Sequence, residues 1–295
     1  MGYALLFVAL IAGTAKGFCG KKVSGLIRGT RGSLAANLLR MLLCTVIGGG
    51  AILLSNDIAR AALSLPLLLI SGLAGLSTAV FVVTWLLLVR KNAYMLLDVF
   101  LMLGVLVPLF GCQVLYGEAI NLKQLFGILL LLVAAGVMCG YNNQIKGKLS
   151  PAGLGLLALC GLASGITDFS QKLFVKTLPD TPPAVLNFYT YLFATIALVI
   201  VCYFTKKESP DNGHHNTKKA AFYIAVMAIC LFLHSYCKTA AAQHLDAVLL
   251  YPLNQGAGLM LSAVMAAVFF KERLHVRCIL GLLIAFIGLL FINIL

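Results

Sequence analysis

Ten apolar runs follow one another along this chain with very little between them. They fall at roughly 3–26, 33–54, 64–89, 93–114, 121–140, 150–176, 183–204, 219–243, 247–270 and 275–295. Each is about as long as a helix must be to cross the hydrocarbon of a bilayer, ~20 residues. In hydrocarbon every backbone N–H and C=O has to find its partner within the chain, and a run of this length does so as a helix. Polar surface for contact with water is scarce: mean hydropathy is +1.02 and only 11% of residues are charged, where soluble domains carry about 25%. The expected fold is an all-α polytopic membrane protein of ten transmembrane helices, with membrane lipids around it. Most connections are short; 206–219, with its Ser-Pro-Asp-Asn-Gly-His-His-Asn core, reads as a solvated loop.

The net charge of +13 is spread over the connections rather than gathered on one segment, so it is no footprint for nucleic acid and instead reports orientation. Counting connections in order, the odd-numbered ones hold 13 cations, from Arg28 to Arg277, and the even-numbered ones hold Arg60, Lys123, Lys176 and Lys238. This predicts cytoplasmic odd-numbered connections and both termini outside, in the cell (inner) membrane. The nine cysteines lie mostly within apolar runs and form no CxxC pair. They read as small buried hydrophobes, with no disulfide framework and no metal site. The N-terminal run lacks a basic leader segment and reads as part of a helix that stays. Only the stretch 3–15 precedes Lys16, so the first helix either continues through Lys16, Lys21 and Lys22 or breaks near 17–20.

The chain repeats itself. An apolar run, a glutamate, a leucine or isoleucine, a cation and then a glycine nine positions after the glutamate occur twice, around Glu118 and Gly127 and around Glu272 and Gly281. An offset of 150 also places Asn37 on Asn187 and Lys22 on Lys172, and Gly13/Gly17 find a counterpart in Gly161/Gly165. The break falls in the polar stretch 141–149, giving a first repeat over 1–142 and a second over 150–295. Five helices per half is an odd number, so the second half enters from the opposite side. Two inverted five-helix repeats are an architecture of secondary transporters, with the substrate site between them.

With Tyr-Gly-Glu-Ala-Ile at 116–120 and Phe-Lys-Glu-Arg-Leu at 270–274 at corresponding places in two halves, the chain resembles the drug/metabolite transporter superfamily, of the EamA-like ten-helix type, over essentially its whole length. Arg40 matches the arginine often found in that family's second helix, and Ala12-Gly13 stands where the first often has Trp-Gly. The resemblance implies a carrier of a small organic solute, with a cavity between the repeats whose access alternates. It implies no cofactor and no enzymatic chemistry. The superfamily's substrates range from amino acids and drugs to sugar phosphates, so no single substrate follows. A second copy of the chain remains a candidate partner.

Ionisable side chains at the bilayer centre cost ~2.5–3.5 kcal/mol on insertion scales and usually face a cavity or a partner. The candidates are Lys16, Arg40, Asp98, Asp168, Lys172 and Lys238. Asp168 and Lys172, spaced i, i+4, share a helix face and are expected to pair. Arg40 is suited to a carboxylate or phosphate, and Asp98 and Asp168 are candidate proton sites. His234 and Lys238 share a face and are expected to line the cavity; lysine is a poor metal ligand, so they hold no metal. Pro252 breaks the backbone ladder beside Tyr251, Asn254 and Gln255, which makes that stretch the best polar patch of the second half. Cations outnumber carboxylates in the spans, a weak lean to an anionic or zwitterionic substrate. Export of cationic drugs or amino-acid-like compounds through Asp98 or Asp168 is the alternative, and a scaffold or sensor that transports nothing is the other class. Glu118 and Glu272 read as structural, each near the positive end of the following helix.

Overall fold

The computed structural model describes residues 1–27, 29–90, 94–139, 151–205, 217–269 and 276–293. Among the described residues the chain is helical, with no strand. The helices are α1 (Gly2–Leu26), α2 (Gly29–Leu54), α3 (Leu65–Arg90), α4 (Tyr94–Gly104), α5 (Leu106–Tyr116), α6 (Leu122–Cys139), α7 (Pro151–Thr177), α8 (Pro183–Phe204), α9 (Thr217–Ala241), α10 (Ala247–Phe269) and α11 (Val276–Asn293), with a 3-10 turn at Ile58–Ala61. Seven of them, α1, α2, α3, α7, α8, α9 and α10, are long and apolar enough to cross a membrane. The surface they present outward is apolar: Phe7, Val46, Leu69, Phe110, Leu129, Val199 and Phe286 are all exposed. A surface of this kind suits lipid, not water, and the protein is an integral membrane protein.

Two sequence expectations about helix continuity resolve here. The first helix does not break at Gly17: α1 runs unbroken to Leu26, which leaves Lys16 in mid-helix. The fourth run, expected as one span, has a one-residue break in its ladder at Val105, between α4 and α5, where Val105 keeps helical angles (φ −60°, ψ −27°). Pro108 explains the break. A proline has no N–H to give the carbonyl four residues back, here that of Gly104, and its ring crowds that carbonyl. The backbone tightens there, with Val105 N–H bonding to the Met102 carbonyl at 3.1 Å.

The Gly104 carbonyl lies against α7. A Cβ added to Gly165 would collide with it, and one added to Gly161 would collide with the Phe100 carbonyl. The small-residue pair Gly161/Gly165 thus lets two backbones touch, the close approach such a motif permits in membranes. The main helix contacts all join the first half of the chain to the second: α1 along α9, α3 along α7 and α8, α2 along α8, α6 along α11 and α4 on α7. The halves interleave, and a cavity lies between them.

Candidate functional site

A cavity of about 130 Å3 sits between the halves, walled by α1, α3, α4, α7, α8, α9 and α10. It has room for several waters or a small solute. Most of these helices contribute residues at helical spacing, so that one face of each is turned inward, and α4 contributes Leu101. On α7 these are Ser164, Thr167, Asp168 and Gln171, and on α9 they are Leu231, His234, Ser235 and Lys238. Lys16 joins them from α1, Asn187 and Thr190 from α8, and Asn254 and Gln255 from α10.

The charged centre of the cavity is the pair Asp168–Lys238, which bridges α7 and α9 with Nζ donating to Oδ1 at 2.5 Å. Both residues are buried. The second carboxylate oxygen of Asp168, Oδ2, is buried without a partner among the described residues. Beside the pair, Gln171 Nε2 donates to Ser235 Oγ at 3.1 Å, and Ser235 Oγ donates to Asn187 Oδ1 at 2.8 Å, a relay across three helices. Gln171 Oε1, Asn187 Nδ2, Thr190 Oγ1 and Asn254 Oδ1 are likewise buried without a partner among the described residues, and all four residues line the cavity. A buried polar atom left unpaired costs ~1–3 kcal/mol. Such atoms concentrated around one hollow mark a surface built to meet water or a solute. Formal charges on the described lining residues are two lysines, Lys16 and Lys238, against one aspartate.

Lys16 faces this space, with Nζ 5.8 Å from the centre of the Phe81 ring. His234 Nδ1 lies 2.7 Å from the Ala9 carbonyl. A carbonyl accepts only, so Nδ1 carries the proton and Nε2 is left as the acceptor. Gly13 makes the room: a Cβ there would stand 2.9 Å from His234 Nδ1.

The expected Asp168–Lys172 pair does not form. Lys172 is turned from its helical neighbour toward the end of the bundle that holds the α5–α6 and α9–α10 connections. Its Nζ donates to the carbonyls of Leu245 at 2.7 Å and Ala242 at 3.2 Å, and lies 3.4 Å from Glu118 Oε1. Glu118 also sits 3.6 Å from Lys176 Nζ and accepts the Ala247 N–H at 2.8 Å through Oε2. Glu118 is therefore structural, as its position in the motif implied. The helix it serves, however, is α10 from the other half and not the α6 that follows it. Lys172 and Tyr251 are not among the cavity-lining residues; the Tyr251 hydroxyl donates to the Asp168 carbonyl at 2.6 Å. Arg40 is buried off the cavity, with Nη1 donating to Met227 Sδ at 3.5 Å. The side chain of Asp98 and the whole of Glu272 lie outside the described residues.

Sequence reasoning missed Ser164, Thr167, Gln171 and Ser235. The signal was there: Ser164, Thr167, Asp168 and Gln171 follow i, i+3, i+4, i+7, a polar stripe through an apolar helix.

No curated protein matches the chain. A solved crystal structure of a protein with 15% sequence identity superposes with a TM-score of 0.75, over 99% of this chain and 96% of that one; at that identity the likeness speaks for the fold alone. The model of the EamA-like transporter family matches residues 151–294. The match covers the second half of a chain that is helical throughout its described residues, and that half is similar to the EamA-like transporter family, in keeping with the drug/metabolite transporter superfamily.

Proposed function

We propose that the protein is a secondary transporter that moves a small polar organic metabolite, anionic or zwitterionic, across the cell (inner) membrane by alternating access. The observation that carries this is the cavity itself: a hollow between the two halves, lined by two lysines, one aspartate and several amides and hydroxyls among apolar side chains, in a chain whose outside is apolar. Lys16 and Lys238 supply positive charge for an anionic group, His234 offers Nε2, and Asn254 and Gln255 offer amides. Asp168 Oδ2 is placed to take an ammonium or a proton.

Ten crossings in two inverted repeats, 1–142 and 150–295, underlie the mechanism. Helix contacts support this: with α4 and α5 taken as one crossing, α1 on α9 has its counterpart in α7 on α3, α4 on α7 in α10 on α1, and α2 on α9 in α8 on α3. Such exchange symmetry lets each half adopt the other's conformation and so turn the cavity to the opposite side. The end carrying the even-numbered connections is tied across the halves by Glu118 with Lys172 and Ala247, and by the Tyr189 hydroxyl donating to the Ala61 carbonyl at 2.8 Å. This is the state closed at that end.

The test is a thermal-shift screen of the purified protein against metabolite classes, because a ligand of the folded state raises its apparent stability by mass action. Carboxylates, phosphates or amino acids should stabilise the protein, and Lys16→Ala or Lys238→Ala should abolish the effect. Stabilisation by organic cations alone would replace the reading with cation export through Asp168. No stabilisation by any class, together with no uptake or efflux in proteoliposomes, would leave a scaffold or sensor.

A further inference from the structure

Arg40 is buried to 3% exposure, yet its guanidinium is mostly unspent. Nη1 faces Met227 Sδ, while Nε and Nη2 have no partner among the described residues. Those two nitrogens form the side-on edge of the guanidinium, the fork that holds a carboxylate or phosphate with two parallel hydrogen bonds. One helical turn away, on the same face of α2, Asn37 is buried to 1% exposure and its Nδ2 is likewise unpartnered. Three buried donors one helical turn apart thus have no partner among the described residues. A charge kept there without an acid beside it among the described residues is costly.

The repeat gives these residues a counterpart. The offset of 150 sets Asn37 on Asn187 and Arg40 on Thr190, and both second-half residues line the cavity and carry unpartnered buried atoms. Met41 and Cys44, flanking Arg40, belong to one core cluster with Val82, Tyr191 and Leu231, which line the cavity.

We propose that Asn37 and Arg40 are the oxyanion site of the opposite-facing state: hidden here, and brought onto the cavity when the halves exchange conformations. In the present state Asn187 and Thr190 floor a cavity closed at the even-numbered end. In the other state Asn37 and Arg40 floor a cavity closed at the odd-numbered end. Arg40 grips the carboxylate or phosphate of the substrate through Nε and Nη2, and Asn37 adds its amide. The two faces of the carrier therefore differ chemically, because a guanidinium on one side stands where a threonine stands on the other. The inference rests on the carrier reading and narrows its substrate to one bearing an oxyanion.

The test uses the full-length chain with single Asn37→Cys or Asn187→Cys substitutions, in vesicles of known orientation. A membrane-impermeant charged thiosulfonate is added from one side, and peptide mass spectrometry reads modification at the named position, so the native cysteines stay. Asn187→Cys should be modified only from the side of the odd-numbered connections, and Asn37→Cys only from the other. Acetate or inorganic phosphate should slow modification at position 37 several-fold, and adding Arg40→Gln should remove that protection while leaving modification itself intact. If position 187 is modified from one side and position 37 from neither side, or from the same side, the inference is overturned while the carrier reading stands. Modification without Arg40-dependent protection overturns the oxyanion site. If neither position is modified from either side, the cavity is not solvent-accessible and the carrier reading fails with it.

Discussion

Replacing Glu118 by glutamine isolates one charge in the tie between the halves. Glutamine keeps the shape and can still accept the Ala247 N–H, so what is lost is the negative charge facing two lysines. Lys176 is 40% exposed, and its share is that of a surface pair, at most ~1 kcal/mol. Lys172 is different: its side chain is 2% exposed and its Nζ lies 3.4 Å from Glu118 Oε1. At an effective dielectric constant of about 20, that separation corresponds to ~5 kcal/mol of attraction, and stripping one partner from a buried pair costs ~3–5 kcal/mol. The carbonyls of Ala242 and Leu245 remain to Lys172, which places the expected loss near the lower end, ~3 kcal/mol. Equilibrium unfolding in mixed detergent micelles, followed by the fluorescence of Trp85, the chain's single tryptophan, measures it. Lys172→Met in the same chain should recover most of the loss, since the buried charge is then gone from both sides. A Glu118→Gln protein within ~1 kcal/mol of the parent, or a double variant no more stable than the single one, would refute the reasoning, because Lys172 would then be neutralised by something other than Glu118.

Further outcomes follow from the same geometry. Gly165→Ala puts a methyl into the Gly104 carbonyl, forces α4 away from α7 and should cost ~1–3 kcal/mol in the same unfolding assay; Gly155→Ala, with nothing near its Cβ, should be close to neutral. Tyr251→Phe deletes one buried hydrogen bond to the Asp168 carbonyl and should cost ~1 kcal/mol, with the ranking of stabilising ligands unchanged in the thermal-shift screen. Asp168→Asn should weaken folding by leaving Lys238 without its acid, and Asp168→Asn with Lys238→Met should recover folding but not ligand-dependent stabilisation. A reporter fused after Leu295 should be active only in a form that works outside the cytoplasm; activity confined to a cytoplasmic reporter would reverse the orientation read from the cations.

Helical class and membrane environment were legible because a bilayer leaves a run of twenty apolar residues almost no choice of structure. The break at Val105 was harder to see. Pro108 was in plain view, but a proline in a membrane helix can be absorbed when neighbours re-satisfy the freed carbonyl. Here it was not absorbed, and Gly161 and Gly165 let the backbone of α7 come against that segment. That reason sits more than fifty residues away and belongs to no local pattern.

The site divides along the same line. Residues on one helix face can be grouped by counting, and Asp168, His234 and Lys238 do meet at one cavity. Partners cannot be found by counting. An i, i+4 pair such as Asp168 and Lys172 gains only ~0.2–0.5 kcal/mol on an isolated helix, so any better offer from another helix wins. Lys172 received one: two backbone carbonyls at the end of α9 and the Glu118 carboxylate from the opposite half. Asp168 received another, Lys238 at 2.5 Å. Asp168 and Glu118 are each claimed by a buried lysine that another helix supplies. That competition is settled by the packing of the halves, and it separates Asp168, left with an unpartnered oxygen at the cavity, from Glu118, spent on Lys172 and the Ala247 N–H.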